Sequence, residues 1–167
     1  HMLQRLSRLV NGGGVKVPHH KDTANFPTEY LPVPPKVILP MNQHVGAPCE
    51  PCVKKGDKVW VGTMVGRATA KVSMHIYSSV SGTVIAVEPI LYNFGKAETV
   101  VVIETDGAQT PDPAICTPEV TDLASFIAAL EQSGIVGLGG AGFPTDVKVM
   151  PKNLAEIDTL LINGAEC

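Results

Sequence analysis

The sequence predicts an α+β chain: an all-β unit first, then the start of an α/β unit. Three observations point there. Residues 36–105 consist of short β-branched runs separated by glycine turns. Residues 105–120, TDGAQTPDPAICTPEV, form a proline-rich break. Beyond the break the apolar spacing changes to the helical period. The expected divisions are an irregular arm over 1–35, the β unit over 36–105, a linker over 106–120 and the α/β unit over 121–167.

The arm is rich in Gly, Pro, His and Lys (VNGGGVKVPHHK, FPTEYLPVPP) and shows little periodicity. His1-Met2 reads as the remnant of a cleaved tag and is set aside. His19-His20 suggests a metal pair, but neighbours on an extended chain point to opposite sides, which favours a surface loop. From Lys36 the texture becomes that of strands: KVILP, then CVKKGDKVWVGTMVGRAT, SSVSGTVIAVEPI and ETVVVIETDG. Gly56-Asp57 and Gly62 permit tight reversals. Val59, Val61, Val65, Val84, Ile85 and Val87 supply half-buried faces, and Trp60 reads as packing.

In TDLASFIAALEQSG, Leu123, Phe126, Ile127 and Leu130 fall at i, i+3, i+4 and i+7, one face of an amphipathic helix. Thr121 or Asp122 caps its start, and Gly134 suits a left-handed stop. DVKVM is a helical turn ended by Pro151. Residues 157–162 (IDTLLI) read as a buried strand, with a turn at Asn163-Gly164.

Bulk properties exclude several function classes. Apolar residues make up 44% and charged residues 17%, which is globular rather than disordered. Aromatics are sparse at 5%, while 16 glycines and 14 prolines favour short strands and turns. The net charge of −3 and the lack of a basic patch interleaved with aromatics argue against nucleic-acid binding. No apolar run approaches the ~18 residues of a membrane span. Of four cysteines, Cys49 and Cys52 form CEPC. No second Cys/His pair completes a zinc site, and the flanking prolines oppose the helix start that a redox pair uses. Plain thiols in a reducing compartment are expected, with no metal site.

The stretch GIVGLGGAGFPT contains Gly137, Gly139, Gly140 and Gly142. It satisfies GxGxxG, but a helix rather than a strand precedes it, so the dinucleotide fingerprint is demoted. No Gly-Lys-Ser/Thr follows, so the Walker pattern fails. Adjacent glycines still allow an anion nest, close to the positive charge of Lys148. The alternative is a packing turn.

Two resemblances follow from whole strings. VKKGDKVWVGTMVG followed by SVSGTV resembles biotinyl/lipoyl-type barrel-sandwich hybrid domains, which carry a modifiable lysine on a hairpin. Lys71 lies in about that region, but Ala70 stands where the lipoyl pattern has an acidic residue. The GGV-to-Pro arm, PMNQHVGAP, VSGTV and GLGGAGFPT, in that order, resemble the RnfC family, the C subunits of the Rnf/Rsx ion-translocating electron-transport complex. GIVGLGGAGFPTDVK and INGAEC are more distantly similar to the NADH-binding flavoprotein subunit of respiratory complex I.

The resemblance implies an N-terminal barrel-sandwich hybrid followed by a truncated FMN-binding α/β domain. It implies an NADH-linked electron-transfer subunit that passes electrons through FMN to 4Fe-4S clusters. Gly137, Gly139, Gly140, Gly142, Lys148, Asn163 and Glu166 would be the cofactor-binding positions. Leu138 replaces an arginine of complex I, and Gly164-Ala165 replaces its Ala-Asp. The family continues beyond this point with more of the nucleotide fold and with cysteine-rich cluster runs. The chain is therefore expected to be an N-terminal fragment, inactive alone, with weak or no FMN affinity. Residues 121–167 are expected to pack incompletely or to self-associate. The implied partners are other subunits of the complex, with the protein peripheral at the cytoplasmic face of the membrane. The alternative is a non-catalytic docking module.

Overall fold

β-branched runs and glycine turns build two facing antiparallel sheets. The computed structural model describes residues 18, 20–92, 95–138 and 140–161. The chain divides into two units, His1–Pro32 and Val33–Cys167. In the first, a turn places the Ala24 N–H 3.1 Å from the Lys21 carbonyl and the Phe26 N–H 3.0 Å from that of Thr23. An extended stretch follows that exposes Tyr30 and Leu31. His20 is exposed, and His19 lies outside the described residues.

The second unit opens with seven strands: β1 (Lys36–Pro40), β2 (Glu50–Pro51), β3 (Lys58–Val59), β4 (Met64–Arg67), β5 (Ile76–Tyr77), β6 (Gly82–Tyr92) and β7 (Lys96–Thr105). One sheet has the order β1-β7-β6-β3, the other β2-β4-β5. Every ladder is antiparallel, and β6 shifts register between Val84 and Ala86. The core lies between the sheets, with Val65 and Ile76 meeting Val84, Val101 and Ile103, joined by Met41, Cys49, Val59 and Val80. On β7 the consecutive residues Val100, Val101, Val102 and Ile103 are all buried, as in a strand covered on both faces. Gly56 and Gly62 take positive φ at the expected reversals. Trp60 differs from expectation: it is 39% exposed, in a turn whose Thr63 N–H bonds back to the Trp60 carbonyl, so its ring lies on the surface rather than in the core.

The proline-rich segment is fastened to the barrel rather than free. Asp106 accepts from the Ser81 hydroxyl at 2.6 Å, and Asp112 accepts from Thr63. Val61 and Pro111 form a parallel bridge. Beyond this segment, α1 (Leu123–Gln132) has Asp122 as N-cap, with a reciprocal capping box to Ser125. Gly134 ends it at φ +66°, where a side chain would be strained. A Cβ there would also lie 2.8 Å from the Tyr77 ring. The Tyr77 hydroxyl donates to the Gln132 carbonyl, tying the end of α1 to β5.

The helix is as its period predicts, yet Leu123 is 49% and Phe126 41% exposed, and Ala129 is the residue it buries. α2 (Thr145–Lys148) is a single turn, followed by a 3₁₀ turn over Leu154–Glu156. The expected strand over 157–162 is not formed across its described part. Residues 157–161 pair with no neighbour among the described residues, and Leu160 and Leu161 are 84% and 89% exposed. An apolar run becomes a strand only where a sheet edge accepts its N–H and C=O groups, and no strand of either sheet pairs with residues 157–161. Ile162 and the Asn163-Gly164 turn lie outside the described residues.

Candidate functional site

The glycine stretch forms a loop on a two-stranded neck. The Thr145 N–H donates to the Ile135 carbonyl and the Gly137 N–H to that of Phe143, both at 3.0 Å. Val136 and Pro144 bridge between them. The neck joins residues 135–137 to 143–145 directly before α2. Lys148 folds back from α2, with its Nζ 2.5 Å from the point a Cβ on Gly137 would occupy. The structure therefore brings Gly137 and Lys148 together. At Gly140 a Cβ would meet nothing within 4 Å, so this part of the loop stays open. Gly139, Asn163 and Glu166, expected to complete the site, lie outside the described residues.

Gly142 has a different job. Its φ is +66°, and a Cβ would lie 3.1 Å from the Gln43 carbonyl oxygen and 3.2 Å from His44 Cα. Beside it the Ala141 carbonyl accepts the Val45 N–H at 3.0 Å. The loop tip thus rests on residues 43–45, which lie in PMNQHVGAP. Two strings almost a hundred positions apart form one surface.

Both described members of CEPC are quiet thiols. Cys49 is buried and donates to the Met74 carbonyl at 2.9 Å, and burial pushes its pKa up. Cys52 Sγ donates to the Met64 carbonyl at 3.3 Å, and partial desolvation pushes its pKa up as well. A raised pKa keeps a thiol protonated and poorly nucleophilic. Cys49, Cys52 and Cys116 are unbridged. No group of three or more metal-ligating side chains occurs among the described residues. Lys71 is exposed on the segment joining β4 to β5. That segment is fixed by the Ala47 N–H donating to the Val72 carbonyl and by Ser73 Oγ donating to the Ala47 carbonyl, each at 2.9 Å.

Sequence reasoning missed His44, Gly46 and Asp146. A histidine and a glycine inside the otherwise apolar HVGAP were the available signal for the first two. Asp146, on α2 beside Lys148, has a buried Oδ1 without a hydrogen-bond partner among the described residues. The local string held no sign of that.

FMN can be tested against this loop. Its phosphate would need backbone N–H groups, a cation and no obstructing side chain. Gly140 gives the clearance and Lys148 the charge, so the described residues meet these two requirements, while the Gly137 N–H is already bonded to the Phe143 carbonyl.

Comparison with known proteins agrees with this layout. The family model described as "RnfC Barrel sandwich hybrid domain" matches residues 10–108. The one described as "Nuo51 FMN-binding domain" matches residues 130–167. The chain is 45% identical over 159 residues to the C subunit of the Na(+)-translocating ferredoxin:NAD(+) oxidoreductase complex of Acetobacterium woodii, covering 93% of this chain and 36% of that protein. It is 40% identical over 151 residues to the proton-translocating counterpart of Clostridium ljungdahlii, covering 88% and 33%. To the C subunit of the ion-translocating oxidoreductase complex of Rhodobacter capsulatus it is 35% identical over 171 residues, covering 100% and 33%. The chain spans about a third of the length of these relatives. With two facing antiparallel sheets and a matched segment longer than half its length, the chain belongs to the RnfC barrel sandwich hybrid family, joined here to the start of an FMN-binding domain.

Proposed function

We propose that this chain is the N-terminal part of an NADH-linked electron-transfer subunit of a membrane-associated, ion-translocating oxidoreductase complex, and that its glycine loop holds the phosphate end of FMN. The observation that carries this reading is the Lys148 ammonium lying against Gly137, in the same glycine stretch as the open position at Gly140. When bound, FMN supplies the exchange between two-electron hydride chemistry and one-electron transfer. Gly137, Gly139 and Gly140 let the backbone approach the phosphate and ribityl chain, Gly142 seats the loop on residues 43–44 in place of the ligand contact expected of it, and Lys148 neutralises phosphate charge. Asn163 and Glu166 contribute polar groups near the isoalloxazine and nicotinamide. The FMN and NADH site is incomplete within this segment and the 4Fe-4S clusters belong to sequence beyond it, so the segment alone is inactive.

The partners in this reading are the other subunits of the complex, with the protein peripheral at the cytoplasmic face of the membrane. Among the described residues no helix is long and apolar enough to cross a membrane. Membrane attachment in this reading comes from those subunits or from sequence beyond this segment. The exposed Leu123 and Phe126 support self-association when nothing covers α1.

A second reading, a non-catalytic docking module, is favoured by Gly142, whose absent side chain serves packing on Gln43 and His44. An FMN titration by flavin fluorescence, on this chain and on one extended through the rest of the nucleotide domain, decides between them. The expected result is binding by the extended chain, abolished by Gly140→Val. Because a side chain at Gly140 meets nothing in the fold, that loss would report the ligand and not misfolding. A folded extended chain that binds no flavin would favour the docking module.

A further inference from the structure

His44 is 92% removed from solvent, at 8% exposure, and both of its ring nitrogens are engaged. Nδ1 lies 3.1 Å from the Val45 carbonyl oxygen. Nε2 lies 3.2 Å from the Met74 amide nitrogen and 3.0 Å from the Met74 carbonyl oxygen. An amide N–H only donates and a carbonyl only accepts. With the proton on Nδ1, the ring donates to Val45 O and accepts from Met74 N–H, and Met74 O is left to the Cys49 thiol at 2.9 Å. The other tautomer would let Nε2–H donate to Met74 O, but it would set a bare Nδ1 against the Val45 carbonyl and leave the Met74 N–H without its acceptor, one hydrogen bond to the ring in place of two. The network therefore assigns the proton to Nδ1.

The same residue that takes this proton, Val45, donates its own N–H to Ala141 O in the glycine loop. A continuous path runs from the Cys49 thiol through Met74, His44 and Val45 to the loop. On the other side of Val45, a Cβ on Gly46 would collide with the Val72 carbonyl oxygen, so the segment is gripped from both sides.

We infer that His44 is a positioning residue for the glycine loop: its Nδ1–H orients Val45, which holds Ala141 and seats Gly142 on residues 43–44. The barrel then sets the shape of the loop proposed to take FMN. The bearing on FMN rests on the flavin reading above, whereas the positioning itself does not.

Amide exchange on this chain tests it with two half-replacements. His44→Asn keeps a donor near the Nδ1 place and loses the acceptor for Met74. His44→Gln keeps the acceptor for Met74 and loses the donor to Val45. The expected result is about tenfold faster exchange of the Val45, Gly137 and Thr145 amides in His44→Gln, with near-original rates in His44→Asn and with Val100–Ile103 protected in both. Equal loop exchange in all three proteins would overturn the inference. So would loss of sheet protection in either variant, which marks the histidine as plain core. In the extended chain His44→Gln should weaken FMN binding about tenfold and His44→Asn little. If no extended chain binds FMN, the flavin reading fails while the exchange result still decides the role of His44.

Discussion

The barrel and the segment after it have similar apolar material and use it differently. In the barrel, Val65, Val84, Val101 and Ile103 reach zero exposure because each strand finds a partner sheet across the core. In residues 121–161 the helix has a good N-cap, a good stop and the right period, yet Ala129 is what it buries. Local signals are enough to make a helix, whereas a core needs a second surface. Among the described residues, hydrogen bonds hold the tail to the barrel at two places, Tyr77 on the end of α1 and residues 43–45 under the glycine loop.

The largest test of this contrast compares equal insults. Ile103→Ala should cost about 3 kcal/mol of unfolding free energy, since it opens a cavity in a closed core. Phe126→Ser should cost less, about 1 kcal/mol, since Phe126 is already 41% exposed. Chemical denaturation of both variants gives the answer, and a comparable loss in Phe126→Ser would mean that α1 is part of the core after all.

A finer test stays within the glycine loop. Gly142→Ala should cost about 1–2 kcal/mol, because it places a side chain at positive φ against Gln43 and His44. Gly140→Ala meets open space and should leave the melting temperature nearly unchanged. Equal effects would remove the distinction between a packing glycine and an open one.

The smallest effect concerns the proline-rich segment. The Ser81 hydroxyl and the Ala108 amide hold the Asp106 carboxyl below its ordinary value, and Thr63 with the Ala114 amide does the same for Asp112. A depressed folded pKa means the contribution is complete above the unfolded value of about 3.9 and is lost as pH falls through the folded values. NMR signals of residues 106–115 should therefore shift with midpoints below about 3.9. Midpoints at the ordinary value would show that these carboxylates do not fasten the segment.

Much of this was legible in the sequence. The strands, the reversals at Gly56 and Gly62, the Asp122 cap and the Gly134 stop are local features, and local chemistry encodes them. The order of motifs placed the chain in its family. What was not legible depends on distant contacts. Trp60 reads as packing, and its partial exposure appears only when its turn is seen; residues 157–162 read as a strand, yet the described part, 157–161, pairs with no strand. The seat of the glycine loop on residues 43–45 joins two strings with nothing local in common. The described part of the candidate site, Gly137, Gly140 and Lys148, was named from the string, but the separate duty of Gly142 required the fold.

The strand order also has a consequence for how the molecule is made. β1 pairs with β7 along Lys36–Pro40, so the sheet cannot close until the chain has been synthesised through Thr105. Residues 137–143 leave the ribosome after that point. Domains fold from the N-terminal end as they emerge. The seat at residues 43–45 therefore leaves the ribosome together with all of its strand partners before its glycine loop does.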